Sequence, residues 1–468
     1  MFIGRERELE ALNRLYQSEK FEFAVIYGRR RVGKTALINQ FILDKKAIYF
    51  MGVESNTRQN LENFSKSILE YSVNDQLETS FASFQAALEY VFWLAEKERL
   101  ILVIDEYPYV ARASKSLAST LQLLIDQNKA SSKLMLILCG SSMSYMEDHV
   151  LAYKAPLYGR RTAQMKILPF DFEDACRCFK NFSDVDKALI YGIAGGTPQY
   201  LTQMNDSLSV EDNIKNTFLN PTSFLFEEPE NLLKQEVREP ALYNAIITAI
   251  AAGASRMAEI STKVGESTSV CATYLNNLIS LGLIQKETPY GEKASRKSVY
   301  RIADPMFRFW YRFVPANSSI IARGAVDLAF KRIEPHLSDY MGSIFEEICH
   351  QYLWKLMLNG DSPVEFSDLG RWWGTDPATR SQTEIDIMGV QDQDNALFGE
   401  CKWTNEKAGQ GVLEALVYRS RLFHYSNTRL YLFAKNGFTE GCIDEAGKTG
   451  NVTLVSYADM LRYFLSNP

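Results

Sequence analysis

The residues that most constrain this chain are Gly28-Arg29-Arg30-Arg31-Val32-Gly33-Lys34-Thr35. Glycines at both ends of such an octet let the backbone wrap an anion, with successive N–H groups and a helix N-terminus facing it. The flanks agree. Phe23-Ala24-Val25-Ile26-Tyr27 reads as a buried strand, and Ala36-Leu37-Ile38-Asn39-Gln40-Phe41 as the helix the loop opens. A strand, loop and helix in that order call for a parallel sheet with crossover helices. Residues 47–50, 100–104 and 134–138 supply further short apolar runs. Without alternation, such runs suit strands buried on both faces. The expected fold class is α/β, with residues 1–235 forming a P-loop parallel sheet and a helical lid.

The anion that suits this loop is the phosphate chain of ATP. Residues 28–35 are all expected to line it, Lys34 at the β/γ-phosphates and the Thr35 hydroxyl on Mg²⁺. A second element fits the same chemistry. Leu100-Ile101-Leu102-Val103-Ile104-Asp105-Glu106 is an apolar strand that ends in two acids. Asp105 is placed to hold Mg²⁺ through water, and Glu106, the catalytic candidate, to orient the attacking water.

Bulk properties limit the partners. The chain has 468 residues, room for about three domains. Its net charge is −6, so contact with DNA requires a local basic surface rather than an overall polycation. The seven cysteines are scattered and odd in number, without zinc-site spacing, and read as reduced structural thiols. The first residues, Met-Phe-Ile-Gly-Arg-Glu-Arg-Glu, carry charge early, and no apolar run approaches the ~18–20 residues of a membrane helix. A cytoplasmic protein with no membrane association is expected.

Beyond residue 235 the pattern changes. In 236–315, three helical patterns (near 240–252, 256–264 and 268–281) precede strand-like segments at 283–288 and 298–303, joined by the polar hairpin 289–297. The third helix places Val270, Tyr274, Leu275, Leu278 and Leu281 on one face. Thr268, Ser269, Thr273, Asn276 and Asn277 occupy the other. Pro315-Ala316-Asn317-Ser318-Ser319 reads as a turn or linker that begins a third region, 316–468. That region is helical to Leu358, then strand-like at 384–390, 396–402 and 429–434. With a period of two, Asp386 faces one side of its strand, and Glu400 and Lys402 share one side of theirs. The turn between them is Gln391-Asp392-Gln393-Asp394-Asn395. Two carboxylates and a lysine on one face can bind Mg²⁺ and activate water; the same residues can also make ordinary salt bridges.

Several motifs together resemble the AAA+-related archaeal-type ATPase family, close to its signal-transducing STAND branch. They are Phe2-Ile3-Gly4-Arg5-Glu6-x-Glu8-Leu9, the P-loop, Asp105-Glu106-Tyr107-Pro108, Cys139-Gly140-Ser141-Ser142, Tyr158-Gly159-Arg160-Arg161 and Gly195-Gly196-Thr197-Pro198. The resemblance implies that the N-terminal segment borders the adenine pocket and that Ser141 or Ser142 is a sensor. It also implies that residues 196–198 belong to the lid, with Pro198 at the nucleotide. Arg160 or Arg161 resembles an arginine that offsets charge in phosphoryl transfer, though the pair also suits a solvated basic surface.

Residues 236–315 resemble a winged helix-turn-helix domain, whose wing would carry Lys286, Lys293, Arg296, Lys297 and Arg301 toward DNA phosphates. In related ATPases such modules also bind proteins or neighbouring domains. Residues 316–468 resemble the restriction-endonuclease-like PD-(D/E)XK fold. Glu346, Asp386 and Glu400 match its metal-binding acids, and Asp386, Glu400 and Lys402 its catalytic set, although Ile385 stands where the motif has proline. The combined expectation is an ATPase that couples nucleotide state to DNA binding and Mg²⁺-dependent DNA cleavage. A non-nucleolytic ATP switch acting on DNA or protein is the alternative. A homo-oligomer follows if Arg160 or Arg161 acts across subunits.

Overall fold

The computed structural model describes residues 2–72, 80–292 and 297–466. The chain folds as two compact units. The first comprises residues 1–170 with 197–199, and the second 171–196 with 200–468. Helices of residues 171–235 expected beside the P-loop sheet thus belong almost entirely to the second unit.

The first unit is built on β1 (Glu22–Tyr27), β2 (Ala47–Met51), β3 (Leu100–Asp105), β4 (Leu134–Gly140) and β5 (Ala163–Lys166). All are parallel, in the order β2-β3-β4-β1-β5. Ala24, Ile26, Ile101, Val103 and Ile137 from the sheet pack against Leu37, Ile38 and Phe41 of helix α1 (Lys34–Ile42). At about 25 cal/mol per Å² of apolar surface buried, this contact fixes the loop between β1 and α1. Strand β5 escaped the sequence reading because Ala163-Gln164-Met165-Lys166 has no apolar run.

In the second unit, helices α2 (Pro240–Ala251), α3 (Met257–Val264) and α4 (Thr268–Ser280) precede β6 (Ile284–Glu287) and β7 (Val299–Ile302). The last two pair antiparallel, Ile284 opposite Ile302. Helix α4 buries Cys271, Leu275 and Leu278 and exposes Thr268, Ser269, Thr273, Asn276 and Asn277. The wing residues Lys293 and Arg296 lie outside the described residues.

The linker expected at residues 315–319 is helical instead. Helix α5 (Pro305–Ile321) runs through it, capped where Asp304 accepts from the Phe307 N–H at 3.0 Å. Its buried stripe of Phe307, Phe309, Trp310, Phe313 and Val314 outweighs the local preference of Pro315 to break a helix. Asn317 is buried and donates to the Phe313 carbonyl at 2.9 Å.

Helix α6 (Leu337–Asn359) leads to β8 (Gly370–Thr375), β9 (Gln382–Val390), β10 (Asn395–Lys402), β11 (Asn427–Ala434) and β12 (Val452–Ser456). They form a mixed sheet in the order β12-β11-β10-β9-β8. Neighbours from β8 to β10 are antiparallel, and those from β10 to β12 parallel. The expected turn at 391–395 joins β9 to β10, with the Gln391 N–H donating to Asn395 O at 3.0 Å.

Candidate functional site

The C-terminal ends of β1, β3 and β4 lie along one edge of the parallel sheet, where ligands bind in sheets of this kind. The octet turns there. Gly33 adopts φ 91° as the residue before α1, and Arg31 is left-handed at φ 73°. A Cβ on Gly28 would lie 2.4 Å from the Ile167 carbonyl oxygen, so the first glycine is required by that close approach. Lys34 is buried, its Nζ donating to the carbonyls of Gly28 at 2.8 Å and Arg29 at 3.0 Å. The ammonium is thereby held inside the cradle it would share with phosphate oxygens.

Residues 197–199 close against the loop. Arg29 Nη2 donates to Thr197 Oγ1 at 2.8 Å, and Pro198 Cγ lies 3.6 Å from where a Gly33 Cβ would be. From the N-terminal segment, Arg5 Nη2 donates to the Val32 carbonyl at 3.0 Å while its guanidinium covers the Phe170 ring at 4.8 Å. Arg30 Nη2 donates to the Tyr109 hydroxyl at 2.8 Å. Arg30 is thereby oriented by a helix after β3 that the sequence reading did not implicate.

Thr35 and Asp105 meet, as a shared Mg²⁺ site requires. Thr35 Oγ1 donates to Asp105 Oδ2 at 2.9 Å. Tyr49 on β2 donates to the same oxygen at 2.7 Å, and Asp105 Oδ1 accepts from the Glu106 N–H at 2.8 Å. Burial, then the Asp105 carboxylate, raises the Tyr49 hydroxyl well above its ordinary pKa, so it remains a donor. Tyr49 was missed because a tyrosine in a four-residue apolar run looks like core. Glu106 has φ 48° and ψ 42°, a left-handed conformation that costs a non-glycine residue about 1–3 kcal/mol. Its Oε2 accepts from Ser141 Oγ at 2.8 Å, which distinguishes Ser141 from Ser142. The donor set fits a Mg²⁺-nucleotide: a glycine cradle, a buried ammonium, and a hydroxyl beside a carboxylate.

Arg160 is engaged elsewhere. Its Nε and Nη2 grip both oxygens of Asp126 at 3.0 and 2.6 Å, and Nη1 donates to the Pro156 carbonyl at 2.9 Å. Its donors are thus spent locally rather than on the P-loop. Arg161 stacks over Tyr158 at 5.4 Å.

Among the C-terminal candidates, Glu346 and Glu400 stand against the chain's own cations. Lys402 Nζ reaches Glu400 Oε1 at 2.7 Å, and Arg419 Nη1 reaches Oε2 at 2.8 Å. Asp386 Oδ2 accepts the Cys401 N–H at 2.9 Å. Burial, then Glu400 and Glu346, push the Asp386 carboxyl up to about 7. Glu346 Oε2 lies 3.4 Å from Arg371 Nε, whose guanidinium also reaches Glu384 at 3.0 Å. Among the described residues, no three His, Cys, Asp or Glu side chains are arranged to hold a metal ion. The expected ligands Glu346, Asp386 and Glu400 therefore do not fit one in this arrangement, because fixed cations already balance the first and last.

A parallel five-stranded sheet with this loop and this Thr35–Asp105 pair defines a P-loop ATPase domain. The chain belongs to a family of archaeal-type ATPases. The profile of an ATPase domain predominantly from Archaea matches residues 2–204. An uncharacterised protein of Methanocaldococcus jannaschii is 34% identical over 412 residues, 87% of this chain and 88% of that relative. An uncharacterised ATP-binding protein of the same organism is 50% identical over 46 residues, 10% of this chain and 78% of its own. A second profile, of archaeal and bacterial proteins of unknown function, matches residues 310–412. Among solved structures, a Walker-type ATPase of Pyrococcus abyssi matches with TM-score 0.50 and 19% identity. That match covers 66% of this chain and 96% of the other, a likeness of fold. No helix among the described residues is long and apolar enough to cross a membrane.

Proposed function

We propose that this chain is an ATP-hydrolysing switch that acts on DNA, with nucleotide state as its control input. The observation that carries the ATPase reading is the bond from Thr35 to Asp105, with Glu106 next in sequence and bound to Ser141. In this reading Lys34 and the loop N–H groups bind the phosphates. Thr35 and Asp105 would hold Mg²⁺, which would supply positive charge to offset that of the phosphates. Glu106 orients the attacking water and takes its proton, and release from Ser141 frees the carboxylate for that task. Replacing Lys34→Ala is expected to abolish ATP turnover; turnover equal to the native rate would refute the assignment.

DNA is the proposed partner because three helices and an antiparallel hairpin follow one another as in winged helices. Helix α4 presents an exposed row of hydroxyl and amide side chains there. Neutralising Lys286 and Lys297 should then reduce the salt dependence of DNA binding. We extend the proposal to a PD-(D/E)XK-like nuclease site at Glu346, Asp386, Glu400 and Lys402, whose acids would bind a divalent cation only after rearrangement. Cleavage of plasmid DNA in Mg²⁺ that is lost in Lys402→Ala would support it. The pairing of Glu346 and Glu400 with internal cations favours a second reading, a switch that binds DNA without cutting it. No cleavage under any nucleotide state would select that one. A homo-oligomer in which Arg160 leaves Asp126 for a neighbour's nucleotide predicts a larger particle with ATP than without; the same size in both conditions would remove it.

A further inference from the structure

A guanidinium of the phosphate loop is tied to the helix that follows the candidate catalytic acid. Arg30, half-buried within the loop 28–35, donates through Nη2 to the Tyr109 hydroxyl at 2.8 Å. Tyr109 lies on the short helix Tyr107–Ala113, which begins directly after Glu106. Its N–H donates to the Glu106 carbonyl at 3.0 Å. One turn of backbone thus joins the acid that would orient water to the phenol that holds Arg30.

Position decides what that guanidinium can do. A P-loop lysine reaches the β/γ-phosphates, and the Lys34 ammonium rests on the carbonyls of Gly28 and Arg29. The γ end of a bound phosphate chain therefore falls at the start of the loop, next to Arg30. Arg31 follows in the left-handed conformation, at φ 73°, and turns the chain immediately after it. Glu106, at the end of β3, is held by Ser141. Arg30 stands between the γ end of the loop and the helix that this acid begins. Arg160, the other candidate for offsetting charge there, is occupied by both oxygens of Asp126.

We propose that Tyr109 is a positioning residue for ATP hydrolysis, its hydroxyl aiming Arg30 at the γ-phosphate, so that the chain supplies the charge-offsetting arginine from its own P-loop. The proposal rests on the ATPase reading above. In the reaction the water oxygen bonds to the γ-phosphorus as the bond from that phosphorus to the β–γ bridging oxygen breaks. The water proton passes to Glu106. The electron pair of the broken bond stays on the bridging oxygen, which leaves on ADP. An arginine beside that oxygen and the γ-oxygens offsets the charge that builds there, an effect of about 10³–10⁵-fold in phosphoryl transfer. Because Tyr109 and Glu106 share one turn, a single element sets both the acid at the water and the cation at the phosphate.

The test is steady-state turnover of radiolabelled ATP by the full chain in Mg²⁺, read as kcat and KM separately. Tyr109→Phe, which removes only a hydroxyl, should lower kcat about tenfold and move KM by less than about twofold. Arg30→Ala should lower kcat by at least about 10²-fold. Adding Tyr109→Phe to Arg30→Ala should bring no further loss, because the hydroxyl acts through the guanidinium. Arg30→Lys keeps the charge without the planar fork, and should still lose about tenfold should the alanine variant fail to fold. A native kcat in Tyr109→Phe, a change in KM alone, or additive losses in the double variant would overturn the role of Tyr109. Native turnover in Arg30→Ala would overturn that of Arg30 while leaving the ATPase reading in place. No turnover by the native chain would overturn the ATPase reading and this proposal with it.

Discussion

The molecule carries two sets of acids, one at the end of β3 and one spread over α6, β9 and β10, and they are held in opposite ways. At the parallel sheet, Asp105 and Glu106 accept hydrogen bonds from the neutral hydroxyls of Thr35, Tyr49 and Ser141. At the mixed sheet, Glu346 and Glu400 face Arg371, Lys402 and Arg419. A hydroxyl orients a carboxylate but leaves its charge for an incoming cation, whereas a fixed guanidinium or ammonium cancels that charge in place. Similar residue types thus give one set whose charge stays open to a cation and one whose charge the chain's own cations already meet.

The largest effect that would break this contrast is at Glu106. Glu106→Gln should lower ATP turnover by about 10²–10⁴-fold while nucleotide binding persists. Turnover near native would mean that Ser141 holds a residue with no part in the chemistry. Tyr49→Phe sharpens the contrast more gently. It removes one hydrogen bond to Asp105, of about 0.5–1.5 kcal/mol, and should weaken Mg²⁺-dependent nucleotide binding by a few-fold to about tenfold. An unchanged Mg²⁺ titration would show that Thr35 alone orients the carboxylate.

The second set makes a pH prediction. Asp386 titrates near 7 in the folded chain because of burial, then Glu400 and Glu346. An unfolded aspartate titrates near 3.9. Between these values the folded metal-free chain holds the extra proton, so this group makes stability fall as pH rises through that window. The slope is up to about 1.4 kcal/mol per pH unit. Asp386→Asn should flatten the slope in denaturant melts at pH 5 and 7; an equal slope in both proteins would contradict the crowding of acids. The smallest effect is expected at Arg160. Its pair with Asp126 is partly exposed, so Arg160→Ala should cost no more than about 1 kcal/mol of stability in a thermal melt of the isolated chain.

The candidate nucleotide site is legible in the sequence because its signals are local. The octet 28–35 carries its own backbone requirements, and an apolar strand ending in Asp105-Glu106 shows both its burial and its chemistry. The order of three helices and a hairpin was legible for the same reason. What was not legible depends on tertiary partners. Arg371 joins acids from β6, α6 and β9, and no sequence spacing encodes that meeting. Strand β8, read as Gly370-Arg371-Trp372-Trp373-Gly374-Thr375, is only partly buried and lacks the run that betrays a central strand. The helix through Pro315 was hidden by a proline and two serines, whose local preferences yield to an aromatic stripe buried on one side.

The contrast between the two sets turns on which acids are free to take a metal, and counting Mn²⁺ on the native full chain tests that directly. With a non-hydrolysable ATP analogue, a single Mn²⁺ should bind per chain, vanish without nucleotide, and be lost in Thr35→Val. A tightly bound Mn²⁺ that needs no nucleotide and disappears in Asp386→Asn would contradict it.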